Sequence, residues 1–564
     1  MSKNVADALI TTLEKIGVKQ IFGLIGDSLN PIGDAVRKSS IEWVGVRHEE
    51  GAALAAAGQA KLTGKLGVCA GTTGPGSTHL VAGLYEAARD HAPVLALSGE
   101  MSGKFQGIDY IQTTQPNLLF RDVALYTAAI ISPDQAPGVI HQAIAAAYAG
   151  SGVSHLVLPQ DVLSASVNTD VPSLETLKPR EPFAASDTDI QSMVKLIEQS
   201  NNIVILCGAG CHGEAEQLRE LSDRLKAPLI HSVKGKDILP FDDHRWMGGI
   251  GMIGTKASYH AMMHCDLLIM LGTDYPYSEF LPQKTLVIQI DERAQVLGRR
   301  TAMTSGFVGS IGPTLKLLLA HLTPKTKSDF FDDIADRRKK WDAVINKQAD
   351  LSRSNDKIHP QAVARTVSEL AKPDAVFVLD TGLNTLWSGN WIQQTGTQRI
   401  IGSFNNAAVG TALGQANGIQ ALNRSRQVIA LCGDGGFNML LSEFLTTVHH
   451  KLPVKVIIYN NSSFGLINLE AESIGIIPFK EAIEFPNPDF AALARACGAH
   501  GFTVKKPGEL KAAISDAFNV EGPAIVDVTV VANELPNVPY LTFDMVEKVT
   551  LSKIKQAINS VMGS

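Results

Sequence analysis

Cysteine is scarce, with six in 564 residues, and only Cys207 and Cys211 stand close together. They bracket a Gly-Ala-Gly turn with no second Cys/His pair beside it. A four-ligand zinc centre is therefore disfavoured, and buried free thiols in a reducing compartment are the expectation. Long apolar runs are missing too. No stretch reaches the ~18 consecutive apolar residues of a membrane span, and the leading Met-Ser-Lys-Asn-Val-Ala-Asp carries no apolar signal core. A cytoplasmic protein is expected. Nor is there an excess of positive charge: 50 Lys+Arg face 56 Asp+Glu, a net charge of −6. Nucleic acid as the main partner would need a dense basic field. With 19% charged and 45% hydrophobic residues, the chain as a whole does not read as disordered, collagenous or coiled-coil. No internal repeat stands out.

What the chain does have is alternation. Short runs rich in Val, Ile and Leu recur at Gly67–Ala70, Val94–Ser98, His155–Leu158, Ile203–Cys207, Leu267–Leu271, Leu286–Ile290, Ala375–Leu379, Val428–Cys432, Val454–Tyr459 and Ala524–Val530. Apolar runs of this length suit parallel strands covered on both faces. Between them, Val5–Ile16, Ala136–Ala149 and Asp189–Gln199 have helical spacing, with Pro137 suited to a first helical turn. Repeated βα alternation predicts an α/β protein of doubly wound parallel sheets. Two breaks interrupt it. Thr169–Ser186 is polar and contains Pro172, Pro179 and Pro182, and Leu322–His359 is highly charged. The run Arg337-Arg338-Lys339-Lys340 reads as a solvated helix face or linker. Three units follow, residues 1–180, 181–345 and 346–531, with a tail at 532–564.

The third unit carries the strongest chemical signal. The run Val428–Cys432 ends in Gly433-Asp434-Gly435-Gly436, and Val454–Tyr459 ends in Asn460-Asn461. In a parallel sheet both ends fall at the carboxyl edge, where open α/β folds bind ligands. The Asp434 carboxylate and the Asn461 amide oxygen are hard donors suited to Mg²⁺. Gly433, Gly435 and Gly436 let a backbone approach a diphosphate, and the following helix offers its N-terminus.

This Gly-Asp-Gly…Asn-Asn pattern, with 27 positions from Asp434 to Asn461, resembles the diphosphate motif of thiamine-diphosphate enzymes. Val46-Arg47-His48-Glu49-Glu50-Gly51 resembles the stretch that supplies those enzymes' activating acid, with Glu49 in its place. The resemblance implies that Glu49 favours the imino tautomer of the coenzyme's aminopyrimidine, whose nitrogen then removes the thiazolium C2 proton. Thr73-Gly74-Pro75-Gly76-Ser77-Thr78-His79 is similar to the substrate-side loop, with His79 facing the site, and Gln112 matches another position of the pattern. Ala407-Ala408-Val409 resembles the segment beneath the thiazolium, with Val409 as the apolar wedge that bends the coenzyme. Ser463 would add a backbone carbonyl to the metal.

From Gly26-Asp27-Ser28-Leu29-Asn30 to about residue 530 the chain is most similar to the flavin-dependent pyruvate oxidases, the quinone-linked, acetate-releasing pyruvate dehydrogenases above all. The resemblance implies a pyrimidine-binding first unit, an FAD-binding central unit and a diphosphate-binding third unit. Gly251-Met252-Ile253-Gly254, the Gly272-led loop Thr273-Asp274-Tyr275-Pro276-Tyr277, and Asp291 resemble flavin-holding stretches, an acid at a strand end being suited to a ribose hydroxyl. A central unit that kept its fold and lost the flavin is the bland alternative. The implied reaction is oxidative decarboxylation of pyruvate through an enamine. Electrons pass to FAD and then to a quinone or O₂, leaving acetate or acetyl phosphate and CO₂. The alternative is carboligation to acetolactate with structural FAD.

Within Phe464-Gly465-Leu466-Ile467-Asn468-Leu469-Glu470, Ile467 resembles the apolar residue over the adduct. Glu470 matches the oxidases where the synthases carry Trp. Leu466 and Ile111 depart from the oxidases, which place Phe at both positions. The implied assembly is a homodimer or homotetramer, with the acid and the diphosphate site meeting across subunits. In the tail, Leu551, Ile554, Ile558, Val561 and Met562 share a helical face, with Lys553 and Lys555 elsewhere. That amphipathicity admits peripheral membrane contact at the inner face, but packing on the parent protein is the favoured reading.

Overall fold

All ten apolar runs singled out above are strands, and each lies inside one of three separate six-stranded parallel sheets. The computed structural model describes residues 3–532, 534–539 and 543–562, and within the last helix the side chains of 547–556. Edge to edge, the first sheet runs Glu42–Gly45, Gln20–Gly23, Gly67–Gly71, Val94–Glu100, Val153–Pro159, Tyr126–Ala129. The second runs Ser305–Val308, Leu286–Asp291, Leu267–Leu271, Ile203–Cys207, Leu229–His231, Trp246–Gly249. The third runs Arg399–Gly402, Val376–Leu379, Val428–Gly433, Lys455–Asn460, Ala524–Thr529, His500–Val504. The α/β, doubly wound expectation holds.

Local chemistry sets the helix bounds. The segment expected from Asp189 begins at Asp187, because the Ser186 side chain accepts from the Asp189 N–H while Asp189 accepts from the Ser186 N–H. Pro137 lies in the first turn of Ala136–Gly150 as expected. The charged break is mostly one helix, Asp329–Gln348, which buries Ile334, Trp341 and Ile345. One residue of its basic run is not solvated. Arg338 is buried, donates to the Trp246 carbonyl at 2.9 Å and to Asp342 at 2.7 Å, and lies 4.5 Å over the Phe241 ring. All six cysteines are free thiols, five of them buried.

The first and third sheets share one apolar core, which includes Phe22, Leu80, Val428 and Phe444. Its centre is a crossing of two helices, Glu49–Thr63 and Ala412–Leu422, both buried along most of their length. Small residues permit the close approach: a Cβ on Gly418 would lie 2.0 Å from the Ala55 carbonyl oxygen, and one on Gly58 2.6 Å from that of Gln415. The Gln59 amide crosses the seam to the Gly418 carbonyl at 3.0 Å. The second sheet has cores of its own and is tied to the others by ion pairs, Lys234 to Asp90 at 3.0 Å and Arg399 to Asp237 at 2.9 Å.

Candidate functional site

Parallel register brings the third sheet's strand ends together. Gly433 lies opposite Tyr459, Leu379 opposite Leu431 and Leu379 opposite Gly402, so Asp380, Ser403, Asp434 and Asn461 emerge along one carboxyl edge. Asp434 is buried. Its Oδ1 accepts the Gly435 N–H at 2.9 Å, and its Oδ2 accepts the Ser462 N–H and the Asn487 amide at 2.7 Å. Burial pushes its carboxyl up despite those donors, an environment that a bound divalent cation relieves. The Asn461 Oδ1 accepts the Ser463 N–H at 3.1 Å, so Asp434, Asn461 and Ser463 bracket the same turn. An acid, an amide oxygen and a backbone carbonyl are a fitting donor set for Mg²⁺.

Two of the three glycines beside this turn are sterically required. A Cβ on Gly435 would lie 2.5 Å from the Phe464 ring, and one on Gly436 2.1 Å from Asp380 Oδ2 and 3.2 Å from Val409 Cγ1. Gly433 has only ordinary contact, with Asn384 at 3.5 Å. The structure thus gathers Phe464, Val409, Gly435 and Gly436 around one concavity. Ala407 sits at φ +55° and Gly410 at φ +88°, and the Ala408 N–H donates to Ser403 Oγ at 2.9 Å, which shapes the turn that presents Val409. The helix Gly465–Ser473 leaves from Phe464 and carries Ile467 and Glu470, both exposed. This cradle fits a diphosphate coenzyme: bare glycine backbone, a helix start and hard metal donors converge on it.

The acid lies at a second place. Glu49 opens its helix with His48 as N-cap, and the Glu49 carboxylate and His79 Nδ1 are 2.9 Å apart. His79 stacks on His48 with ring centroids 4.5 Å apart. The ligand atoms of His48, Glu49 and His79 all lie within 4.8 Å of one another. Glu49 Oε1 would be 3.2 Å from a Cβ on Gly76, and the Gln112 carbonyl oxygen 2.4 Å from one on Gly74, so Gln112 (φ +63°) joins the same loop. Among the described residues no hydrogen bond links Glu49 or His79 to Asp434, Asn461 or Ser463 within one chain.

The flavin-like segments gather at the carboxyl edge of the second sheet. A Cβ on Gly251 would lie 2.1 Å from the Tyr275 hydroxyl, and one on Gly272 2.5 Å from Gly210. Ile253, Thr273, Tyr275 and Asp291 are buried, while Met252, Pro276 and Tyr277 are exposed. Asp274 pairs with Arg299 and Arg300, and Asp291 accepts from Arg293 at 2.9 and 3.2 Å. Arg293 Nη1 is nonetheless buried with no partner. Nearby, His91 is driven down to about 4 by burial and then by Arg293, Lys234 and Arg299. A cavity of about 210 Å³ where the three sheets meet is lined by Lys61, His91, His212, Lys234 and Arg399, among others. Lys61 and Lys234 there pair with Asp90, and His212 and Arg399 with Asp237, so the one unmet donor, Arg293 Nη1 beside Asp291, is what fits an anionic group such as the diphosphate of FAD.

Three site residues have no counterpart in the expectations. Asn487 braces Asp434. Glu443, buried in the third unit, accepts the N–H groups of Arg47 at 3.0 Å and His48 at 2.8 Å just before Glu49. Asp380, treated below, holds the Val409 turn. None has a signal beyond being polar, because each acts on residues distant in sequence. The terminal helix Phe543–Met562 packs on Gly465–Ser473. Ser552 Oγ donates to the Ile476 carbonyl at 2.8 Å, Lys553 pairs with buried Glu472, and Gln556 donates to Glu472 at 3.1 Å. Leu551 and Ile554 remain 44% and 52% exposed, and the side chains of Ile558, Val561 and Met562 lie outside the described residues. Among the described residues no helix is long and apolar enough to cross a membrane.

Fold and site together suit an α/β enzyme whose third sheet offers a cradle that fits a metal-bound diphosphate. Comparison with known families agrees. Residues 3–120 match the thiamine pyrophosphate enzyme N-terminal TPP binding domain, 190–318 the central domain and 380–528 the C-terminal TPP binding domain. The chain belongs to the thiamine-diphosphate-dependent enzyme family. Among its relatives is a putative thiamine pyrophosphate-containing protein, YdaP, of Bacillus subtilis, 34% identical over 95% of this chain and 92% of its own length. A pyruvate oxidase of Lactiplantibacillus plantarum is 30% identical over 93% and 88%. The acetolactate synthase isozyme 2 large subunit of Escherichia coli is 28% identical over 95% and 96%.

Proposed function

We propose that the chain catalyses oxidative decarboxylation of pyruvate. Pyruvate and water become acetate and CO₂, and two electrons and two protons pass to FAD and then to a quinone or O₂; phosphate in place of water gives acetyl phosphate. Units 1–180, 181–345 and 346–531 would hold the pyrimidine ring, FAD and the diphosphate in turn. Thiamine diphosphate supplies the nucleophilic carbon and electron sink, and FAD the two-electron acceptor. Asp434, Asn461 and Ser463 would hold Mg²⁺, with Gly433, Gly435 and Gly436 along the diphosphate and Ala407, Ala408, Val409 and Phe464 around the ring. Glu49 would hold a proton toward the aminopyrimidine, with His79 and Gln112 on the substrate side and Ile467 and Glu470 over the keto acid. Gly251–Gly254, Thr273–Tyr277 and Asp291 would line the flavin site. The enzyme would work in the cytoplasm, with the tail helix as any contact with the inner membrane face.

The observation that favours oxidation is Glu470. It lies on the helix that starts at the cradle, at the position where carboligases of this family place Trp. Anaerobic pyruvate should bleach the visible flavin band of the purified holoenzyme; an unchanged band sinks the reading. Leu466 and Ile111, which stand where the oxidases carry Phe, bear on how fast the flavin is reduced rather than on whether it binds; the alternative is a carboligase with structural FAD. Acetoin released by acid after incubation with pyruvate, without acceptor reduction, would select it.

A further inference from the structure

The strand Val376–Leu379 ends in Asp380, a carboxyl only 1% exposed. Its Oδ1 accepts three backbone N–H groups, from Thr381 at 3.0 Å, Gly410 at 2.8 Å and Thr411 at 3.1 Å. Its Oδ2 is buried without a hydrogen-bond partner among the described residues. That oxygen faces Gly436 of the cradle, where a Cβ would lie only 2.1 Å away. Burial drives this carboxyl up to about 7 in spite of the amide donors. An apolar side chain would fill such a strand end without that cost, so the carboxyl is informative.

The turn it grips is anchored at both ends. At one end the Ala408 N–H donates to Ser403 Oγ, which itself donates to buried Glu86 of the first unit. At the other, Gly410 and Thr411 donate to Asp380. Val409 is the residue between the anchors, and its Cγ1 is 3.2 Å from the Cβ position of Gly436. With Gly410 at φ +88° and Ala407 at φ +55°, the turn has little conformational preference of its own to hold this shape.

We propose that Asp380 is a positioning residue: it ties the Val409 turn to the strand end that abuts Gly436 of the cradle and so sets how far Val409 rises beneath the coenzyme. This rests on reading Val409 and Gly436 as coenzyme contacts. Asp380→Asn keeps an acceptor oxygen for Gly410 and Thr411, whereas Asp380→Ala removes it. Two readouts report on the bound coenzyme without turnover, its near-ultraviolet circular dichroism in the presence of Mg²⁺ and the rate of deuterium exchange at its C2. Asp380→Asn should keep the wild-type dichroism and exchange rate. Asp380→Ala should lose the band and slow exchange by about 100-fold, the scale of a 1 Å misplacement. Its affinity for inorganic diphosphate, read by competition, should stay at the wild-type value.

A second variant guards against misfolding. Thr411→Pro deletes the N–H donor at a residue whose φ of −85° lies near the proline range, and Thr411→Val controls for the hydroxyl, which donates to the Ala408 carbonyl at 3.5 Å and is lost in both. Measured against Thr411→Val, Thr411→Pro should slow exchange less than Asp380→Ala does and add nothing to it in the double variant, since both remove the same N–H···Oδ1 bond. If Asp380→Ala does not fold, Thr411→Pro decides against its control: exchange slower than in Thr411→Val supports the proposal and an equal rate overturns it. A wild-type band and rate in Asp380→Ala overturn it outright. A wild-type enzyme with no coenzyme band removes the functional reading, and the proposal with it.

Discussion

At the residue scale the site depends on carboxylates in unlike surroundings. Glu49 sits 2.9 Å from an imidazole nitrogen of His79, where proton exchange is within reach. Glu49→Gln should bind the coenzyme as the wild type does but lose about 10²–10⁴-fold in C2 deprotonation, the usual weight of a positioned acid or base. Deuterium exchange of the bound coenzyme measures it, and a near-normal rate contradicts the role. If Asp434 holds the metal as proposed, Asp434→Ala should abolish the Mg²⁺-dependent part of coenzyme binding in titration calorimetry. Away from the site, His155 stacks on Phe120 with centroids 3.7 Å apart, and burial drives its pKa down to about 3. An unfolded imidazole takes a proton near pH 6.5. The folded state therefore keeps this contribution above pH 6.5 and loses it progressively as pH falls toward 3. Thermal midpoints at a fixed scan rate should drop on acidification, and less steeply in His155→Gln. An identical slope would refute the assignment.

At the scale of elements, the inner strands were readable and the edges were not. All six edge strands, among them Glu42–Gly45, Arg399–Gly402 and His500–Val504, escape the apolar-run criterion. Several edges are short and mix in polar residues, such as Arg399 and His500, and so lack the continuous apolar run of a strand covered on both faces. Two short inner strands, Gln20–Gly23 and Leu229–His231, were too brief to register. The terminal helix makes a separate prediction. Its contacts with Glu472 and the Gly475–Ile476 backbone hold the Gly465–Ser473 helix from behind. Truncation after Pro539 should speed amide hydrogen exchange across 465–476 while leaving the strand Val428–Gly433 protected. Equal protection in the truncated and full-length chains would show that the tail does not support the site.

At the scale of the molecule, the acid and the cradle each stand complete, yet no hydrogen bond joins them within one chain among the described residues. Ile108, Ile111 and Leu118 on the acid's unit are exposed, as are Ile467, Ile474 and Phe479 beside the cradle. Exposed apolar residues at both halves of one reaction centre suit burial against a second copy. Activity should therefore follow the dimer or tetramer on dilution, tracked by sedimentation alongside acceptor reduction. A fully active monomer would contradict this.

Chemistry that depends on residue type and local spacing could be read directly from the chain: apolar runs of strand length, the Gly-Asp-Gly turn at one strand end and the Asn pair at another, and an acid followed by a helix. Parallel pairing then turned those strand ends into neighbours. The partners of the site, Asp380 under Val409, Asn487 on Asp434 and Glu443 behind His48, depended on packing. A carboxyl or amide reveals no function until folding brings it against backbone N–H groups or side chains tens or hundreds of positions away.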